Sequence, residues 1–297
     1  MELYAMKPDG SRQTRLSDGS QKWGVETTPL TAYYRPYQVV IDHRYVFDLR
    51  SRQIVTELTS TQVVNGRPVK FTDVATDTLP FFVAFPVWSP SGEIVFFSSK
   101  TSLIHSLAIY YLKNAQSQPL RLTNPPDDVW GDGWPAWSPD GEWIVFDRNW
   151  DDSSQDGLWL IKSDGSQLHR IIQDFYNGVR RAAWSPDGTK LAYEGPKPNR
   201  EHFSFELWVS DADGSNARQL TRLDSEMSVW GPAWSPDGKR IAFALQAAGL
   251  KTDIVIIYVE SGEMQQLTTE GTYNVEPLWL PLDADEILAG GDTSLKI

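Results

Sequence analysis

Pro135-Ala136-Trp137-Ser138-Pro139-Asp140-Gly141, followed at once by Glu142-Trp143-Ile144-Val145-Phe146, recurs along this chain. It returns as Ala182-Ala183-Trp184-Ser185-Pro186-Asp187-Gly188 and as Pro232-Ala233-Trp234-Ser235-Pro236-Asp237-Gly238. A looser copy is Pro86-Val87-Trp88-Ser89-Pro90-Ser91-Gly92, and a weaker one is Pro277-Leu278-Trp279-Leu280-Pro281. The five tryptophans stand 49, 47, 50 and 45 residues apart. A spacing this even is the mark of a repeat architecture.

Each copy reads as a hairpin. Pro presets φ at the first turn position, Asp caps the turn locally and Gly accepts positive φ. An apolar strand follows, as in Arg240-Ile241-Ala242-Phe243. A second hairpin comes after it: Leu158-Trp159-Leu160-Ile161 with Ser163-Asp164-Gly165-Ser166, Leu207-Trp208-Val209 with Asp213-Gly214-Ser215, and Ile254-Val255-Ile256-Ile257-Tyr258 with Ser261-Gly262. Four short strands per repeat predict a propeller blade, which buries both faces only by stacking on neighbours.

Working outward, residues 81–123, 130–172, 178–222 and 229–268 are four regular blades. Glu2-Leu3-Tyr4-Ala5 through Asp9-Gly10-Ser11 matches a second hairpin, and the stretch from Glu276 onward matches a first one. Residues 1–17 and 272–297 are therefore expected to share one closing blade, which removes exposed sheet edges. Residues 22–80 read as a degenerate blade: Tyr34-Arg35-Pro36 replaces Trp-Ser-Pro, and Val39-Val40-Ile41, Tyr45-Val46-Phe47 and Ile54-Val55-Thr56 supply strands. The expectation is one all-β domain, a six-bladed propeller with four antiparallel strands per blade. A truncated seven-bladed parent is the rival count.

Composition agrees with this class. Among 297 residues there are 13 Trp, 11 Tyr, 12 Phe, 19 Pro and 21 Gly. The net charge of −12 repels a phosphate backbone, which argues against nucleic acid as a partner. No apolar run reaches the roughly 18 residues of a membrane span, so no membrane insertion is expected. With no cysteine, disulfides are excluded. The N-terminal residues lack the basic and apolar regions of an export leader.

Trp-Ser-Pro-Asp-Gly before an apolar strand, then Leu-Trp-Val and Asp-Gly-Ser, resembles the WD-related repeat of TolB-type β-propellers. The resemblance implies a rigid ring holding a protein or peptide partner, and a periplasmic or extracellular setting. The separate N-terminal α/β domain of TolB proper has no counterpart here. One such scaffold hosts many tasks, so fold is implied more strongly than function. The chain is expected to be a monomer.

Short uniform turns occupy one face. The other carries the longer between-blade loops 124–134, 173–181, 223–231 and 269–276 and the between-hairpin loops 148–157 and 195–205. Variable loops on a rigid scaffold are where binding residues sit. The partner-binding residues expected there are Trp130, Trp134, Trp150, Tyr176, Arg180, Arg181, Phe203, Trp230, Tyr273 and Glu276. Aromatics with Arg are the residue types enriched at hot spots. Trp134 and Trp230 read equally as plugs between blades. Trp88, Trp137, Trp184, Trp234 and Trp279 read as structural.

No catalytic residue, metal ligand or cofactor is assigned. There is no Gly-x-Ser-x-Gly elbow, no His-Glu-x-x-His and no phosphate-binding loop. The acidic stretch 147–157 offers oxygen atoms of the kind Ca²⁺ takes, but it lacks the EF-hand spacing and reads as a solvated loop. His43, His105, His169 and His202 fall in different repeats. The competing reading is a metal-assisted hydrolase or lyase with a channel site built from Asp132, Asn274 and Glu276.

Overall fold

The computed structural model of the protein describes residues 4–11 and 13–15, strand backbones between 32 and 70, and residues 82–269 apart from 100–105, 114–116, 118, 127–129, 150–154, 174–177, 198–203 and 248–250. Residues 274 and 277–279 complete the set. Every regular element among them is a strand.

β1 (Tyr4–Ala5) pairs with β2 (Thr14–Arg15). β3 (Ala32–Arg35), β4 (Gln38–Ile41), β5 (Tyr45–Asp48) and β6 (Gln53–Glu57) form a four-stranded sheet in chain order. This sheet occupies the stretch read as a degenerate blade. A further hairpin, β7 (Thr61–Val64) with β8 (Arg67–Lys70), follows it and was not foreseen from the sequence. Four regular antiparallel sheets come next. They are β9 (Phe82–Trp88), β10 (Ile94–Ser99), β11 (Ala108–Leu112) and β12 (Leu120–Arg121); then β13 (Gly131–Trp137), β14 (Trp143–Asn149), β15 (Gly157–Lys162) and β16 (His169–Gln173). The third holds β17 (Arg180–Trp184), β18 (Lys190–Pro196), β19 (Phe205–Asp211) and β20 (Arg218–Gln219), and the fourth β21 (Ser228–Trp234), β22 (Arg240–Gln246), β23 (Thr252–Tyr258) and β24 (Met264–Gln266).

The repeated motif makes its turn from side chains as well as backbone. Ser138 Oγ donates to Asp140 Oδ1 and accepts from the Trp143 N–H at 2.9 Å. Ser185 with Lys190 and Ser235 with Arg240 repeat the arrangement. The turn serines are buried, so their hydroxyls must be paired in this way.

The strands that follow bury both faces. On β14, Ile144 and Phe146 pack with Val95, Phe97 and Leu107 of the preceding sheet. Val145 between them packs with Leu191 and Tyr193 of the following one. A period of two on a strand apolar on both sides is what face-to-face stacking of sheets demands.

The motif tryptophans clasp the sheets together. Trp137 Nε1 donates to the Val87 carbonyl at 3.0 Å, Trp184 to Ala136 at 3.2 Å, Trp234 to Ala183 at 3.1 Å and Trp279 to Ala233 at 3.0 Å. Each indole thus reaches the first strand of the sheet before it. The structural reading of these residues explains their even spacing.

A second contact also recurs. The hydroxyls of Thr123, Thr221 and Thr268 each accept from a backbone N–H fourteen residues earlier, on Ile109, Leu207 and Ile254, at 2.9 Å. The Leu-Thr pairs at 122–123, 220–221 and 267–268 carry the signal.

Candidate functional site

The first strand of each regular sheet contains a β-bulge. Register slips between Gly133 and Ala136, between Arg180 and Ala183, and between Trp230 and Ala233. The residue at the slip is left-handed in each: Trp134 at φ 48°, Arg181 at 49° and Gly231 at 58°. Bulges bend a strand and re-aim its side chains, and a bulky residue at positive φ is held there by its surroundings. The alternation also breaks at the bulge, which is why these positions read as loop from the sequence. Trp134, Arg180, Arg181 and Trp230 instead lie within β13, β17 and β21.

The ends of β10, β14 and β18 each face the bulge of the next sheet. Phe97 on β10 meets Trp134, centroid to centroid at 6.3 Å. The equivalent position is Asp147 on β14, whose carboxylate accepts the Arg181 backbone N–H. On β18 it is Glu194, whose Oε1 accepts from the Gly231 N–H at 2.8 Å. Glu194 is fully buried and also takes Arg180 Nε at 3.1 Å, with Arg181 Nε at 3.8 Å. A bulge leaves a backbone N–H outside the ladder, and the neighbouring carboxylate satisfies it.

Guanidinium–aromatic stacking ties three sheets together. Arg181 lies 3.9 Å above the Trp134 ring and 5.4 Å from Trp230. Arg180 lies 4.0 Å from the Phe205 ring and 4.9 Å from Trp230. The Trp230 indole donates to Gln246 Oε1 at 2.7 Å.

Arg148 holds Asp132 in a buried bidentate pair, Nε to Oδ1 at 2.6 Å and Nη2 to Oδ2 at 2.9 Å. It also stacks on Trp159 at 4.3 Å. Burial pushes the Asp132 carboxyl upward and Arg148 pulls it back, with burial the stronger influence. Burial likewise pushes Asp147 up to about 7, against the pull of Arg180 and Arg181. Asp147 and Glu194 therefore face Arg180 and Arg181 in one network, and the Asp132–Arg148 pair lines the same cleft.

Trp130 stands at the rim, 51% exposed. Its carbonyl accepts from the Leu107 N–H at 3.0 Å, and the Asp132 N–H donates back to the Leu107 carbonyl at 2.7 Å. Between them Gly131, at φ 99°, lies so close that a Cβ there would sit 2.2 Å from the Leu107 oxygen. Trp130, Trp134, Asp147, Arg148 and Arg180 together line a cleft of about 190 Å³.

Of the ten residues expected at a binding face, Trp130, Trp134, Arg180, Arg181 and Trp230 are brought together here. Trp150, Tyr176, Phe203, Tyr273 and Glu276 lie outside the described residues. Asp132, expected as a channel residue, also belongs to the site, whereas Asp147, Arg148 and Glu194 are members the sequence reading does not reach. Their signal is a charge placed directly after an apolar triplet, Ile144-Val145-Phe146-Asp147 and Leu191-Ala192-Tyr193-Glu194, where the period calls for another seam-facing residue.

Other expectations need correction. Asp147, Arg148 and Asn149 were placed in an acidic loop, but they belong to β14, where Asp147 and Arg148 are buried. Asp132, offered as a metal ligand, has both oxygens on Arg148. Asn274 Nδ2 donates to the Thr252 carbonyl and the Thr268 hydroxyl, both at 3.3 Å. Among the described residues no three His, Asp or Glu side chains gather as a metal site would require. His169 lies on β16, edge-on to Trp143, and His43, His105 and His202 are outside the described residues.

No family model matches the chain. Among curated proteins, it is 27% identical over 151 residues to the uncharacterized peptidase YuxL of Bacillus subtilis, covering 50% of this chain and 20% of that protein. It is 28% identical over 165 residues to the uncharacterized protein Atu1656 of Agrobacterium fabrum, covering 52% of each. The Tol-Pal system protein TolB of Blochmanniella pennsylvanica is 34% identical over 86 residues, 29% of this chain and 18% of that one. The chain thus spans about half or less of these relatives' length. Among solved structures, a putative TolB from Agrobacterium tumefaciens superposes with TM-score 0.62 at 17% identity, over 91% of both chains. An oligogalacturonate lyase in complex with manganese gives 0.54 at 14% identity, over 88% of this chain and 71% of that one.

Proposed function

We propose that this chain, a TolB-like β-propeller, is a non-enzymatic binding module whose protein or peptide partner docks over the channel mouth formed by the bulged ends of its first strands. The observation that carries this reading is Trp130, half exposed on backbone pinned to Leu107 and lining one cleft with Trp134 and Arg180. An aromatic anchor beside Arg is hot-spot chemistry, and a surface ordered in advance loses little entropy on binding. The stacked guanidiniums and shared carboxylates supply that order.

The ring in this proposal has six blades, the last shared between the two ends of the chain. Two contacts favour it: Trp279 clasps Ala233, and Gln265 Nε2 donates to the Asp9 carbonyl at 3.2 Å. Both bring end segments against the β21–β24 sheet.

The test uses a partner captured from native extract, identified, purified and titrated against the full chain. Trp130→Ala is expected to weaken binding by roughly thirtyfold or more, the range of a hot spot. Leu168→Ala is the control, an exposed apolar residue just beyond the second-hairpin turn. A partner that binds Trp130→Ala as well as wild type, but loses affinity for Leu168→Ala, docks elsewhere and refutes the proposal.

A further inference from the structure

Two polar atoms on residues lining the cleft make no hydrogen bond. Asp147 Oδ1 and Arg180 Nη2 are buried without a hydrogen-bond partner. Both residues line the cleft with Trp130. Buried ionised groups are ordinarily paired on every strong site, because an unmade bond there forfeits solvation with no return. Here Asp132 has both oxygens engaged by Arg148, and Glu194 has both engaged by Arg180 and Gly231. The two leftover atoms have opposite needs: Oδ1 accepts, Nη2 donates.

Size and walls narrow the occupant. About 190 Å³ is below the roughly 300–1,000 Å³ of ordinary small-molecule pockets and suits a group the size of one side chain. Trp130 and Trp134 offer flat aromatic surface, and Phe97 and Leu107 add apolar wall. Charge narrows it further. Around the two open atoms Asp147 and Glu194 face Arg180 and Arg181, so a charged entrant would unbalance that buried set while a neutral one leaves it intact. A neutral, planar group with an N–H donor and a carbonyl acceptor meets every condition.

Resting on the docking role proposed above, we infer that this cleft receives one carboxamide, the side chain of a Gln or Asn on the docked partner, its N–H donating to Asp147 Oδ1 and its carbonyl accepting from Arg180 Nη2. A carboxylate is the rival occupant. It satisfies Arg180 but faces Asp147 as a like charge, and it enters freely only when Asp147 carries a proton. Arg180 and Arg181 on β17 and Glu194 on β18 are the charged groups facing that carboxyl, which burial holds near 7. Carboxylate binding would therefore weaken as pH rises through that value.

Three capped probes test this on the full chain at pH 8: N-acetylglutamine N-methylamide and its glutamate and methionine analogues, followed through the tryptophan indole N–H signals. The Trp130 signal is assigned with Trp130→Phe. The glutamine probe is expected to shift that signal saturably, and at least tenfold more tightly than either analogue. Arg180→Met, a partly exposed position, should reduce glutamine binding about tenfold, the scale of one hydrogen bond to a charged group, with the far-UV circular dichroism unchanged. Equal binding of the glutamine and methionine probes would overturn the inference. So would a glutamate preference that fades above pH 7, or no shift at all. If partner docking depends on Trp130 but no probe binds, only this inference falls. If the glutamine probe binds while partner docking ignores Trp130, the docking role falls and the carboxamide site stands.

Discussion

Replacing Arg148 with Met tests whether the buried charges beside the bulged first strands are structurally coupled. Asp132 is wholly buried and Arg148 is 5% exposed, joined by bonds of 2.6 and 2.9 Å. Met keeps most of the stem that packs on Trp159 but leaves the carboxylate without its counter-ion. Breaking a buried pair at one partner costs about 3–5 kcal/mol, since an uncompensated charge stays behind. Thr123 and Arg121 still interact with Asp132, which favours the lower part of that range. Loss of the Arg148–Trp159 stack adds ~0.5–1 kcal/mol. A deficit of about 4 kcal/mol is expected, or a midpoint lower by roughly 6 °C at this chain length.

Urea titration followed by tryptophan fluorescence reads the deficit, and the double variant Asp132→Leu with Arg148→Met identifies its source. With the orphan carboxylate gone, the double variant should regain most of the loss. The pH dependence has a defined sign. In Arg148→Met the folded-state carboxyl of Asp132 is raised further above its unfolded value. The folded protein then holds the proton more tightly than the unfolded chain, so the deficit shrinks as pH falls from 8 towards 5. A single variant within ~1 kcal/mol of wild type, a double variant no better than the single, or a deficit that grows in acid would each refute the reasoning.

Two further outcomes follow from the same contacts. Asp147 sits near 7 when folded against an ordinary value of 3.8, so it favours folding below about pH 4 and withdraws that support as pH rises to 7. Between pH 5 and pH 8 wild type should lose up to about 3 kcal/mol relative to Asp147→Asn, seen as a difference between their urea midpoints, and parallel curves would contradict the assignment. Trp184→Phe removes the indole donor from the Ala136 carbonyl and some buried ring area; it should cost about 2 kcal/mol in calorimetry, and an unchanged midpoint would show that the clasp is dispensable.

The amino-acid sequence by itself determined the blade. Trp-Ser-Pro-Asp-Gly encodes a turn within seven residues, the apolar run after it encodes a strand buried on both faces, and the regular return of both encodes stacking. Those are local or strictly periodic facts, so they survive without coordinates. The structural role of Trp137, Trp184, Trp234 and Trp279 was legible for the same reason.

Only the tertiary structure decided the wiring around the bulged strands. Asp147 and Arg148 looked like the start of a solvated loop because charge broke the alternation, yet β14 continues through them and the next sheet covers them. Trp134 and Arg181 looked like loop residues because a bulge interrupts the period. Glu194 and the Gly231 N–H are separated by 37 residues, and nothing in the chain between them announces the bond. Whether a charge at the end of a strand meets water or a neighbouring bulge depends on the distance between stacked sheets, a quantity that no stretch of sequence within one sheet contains.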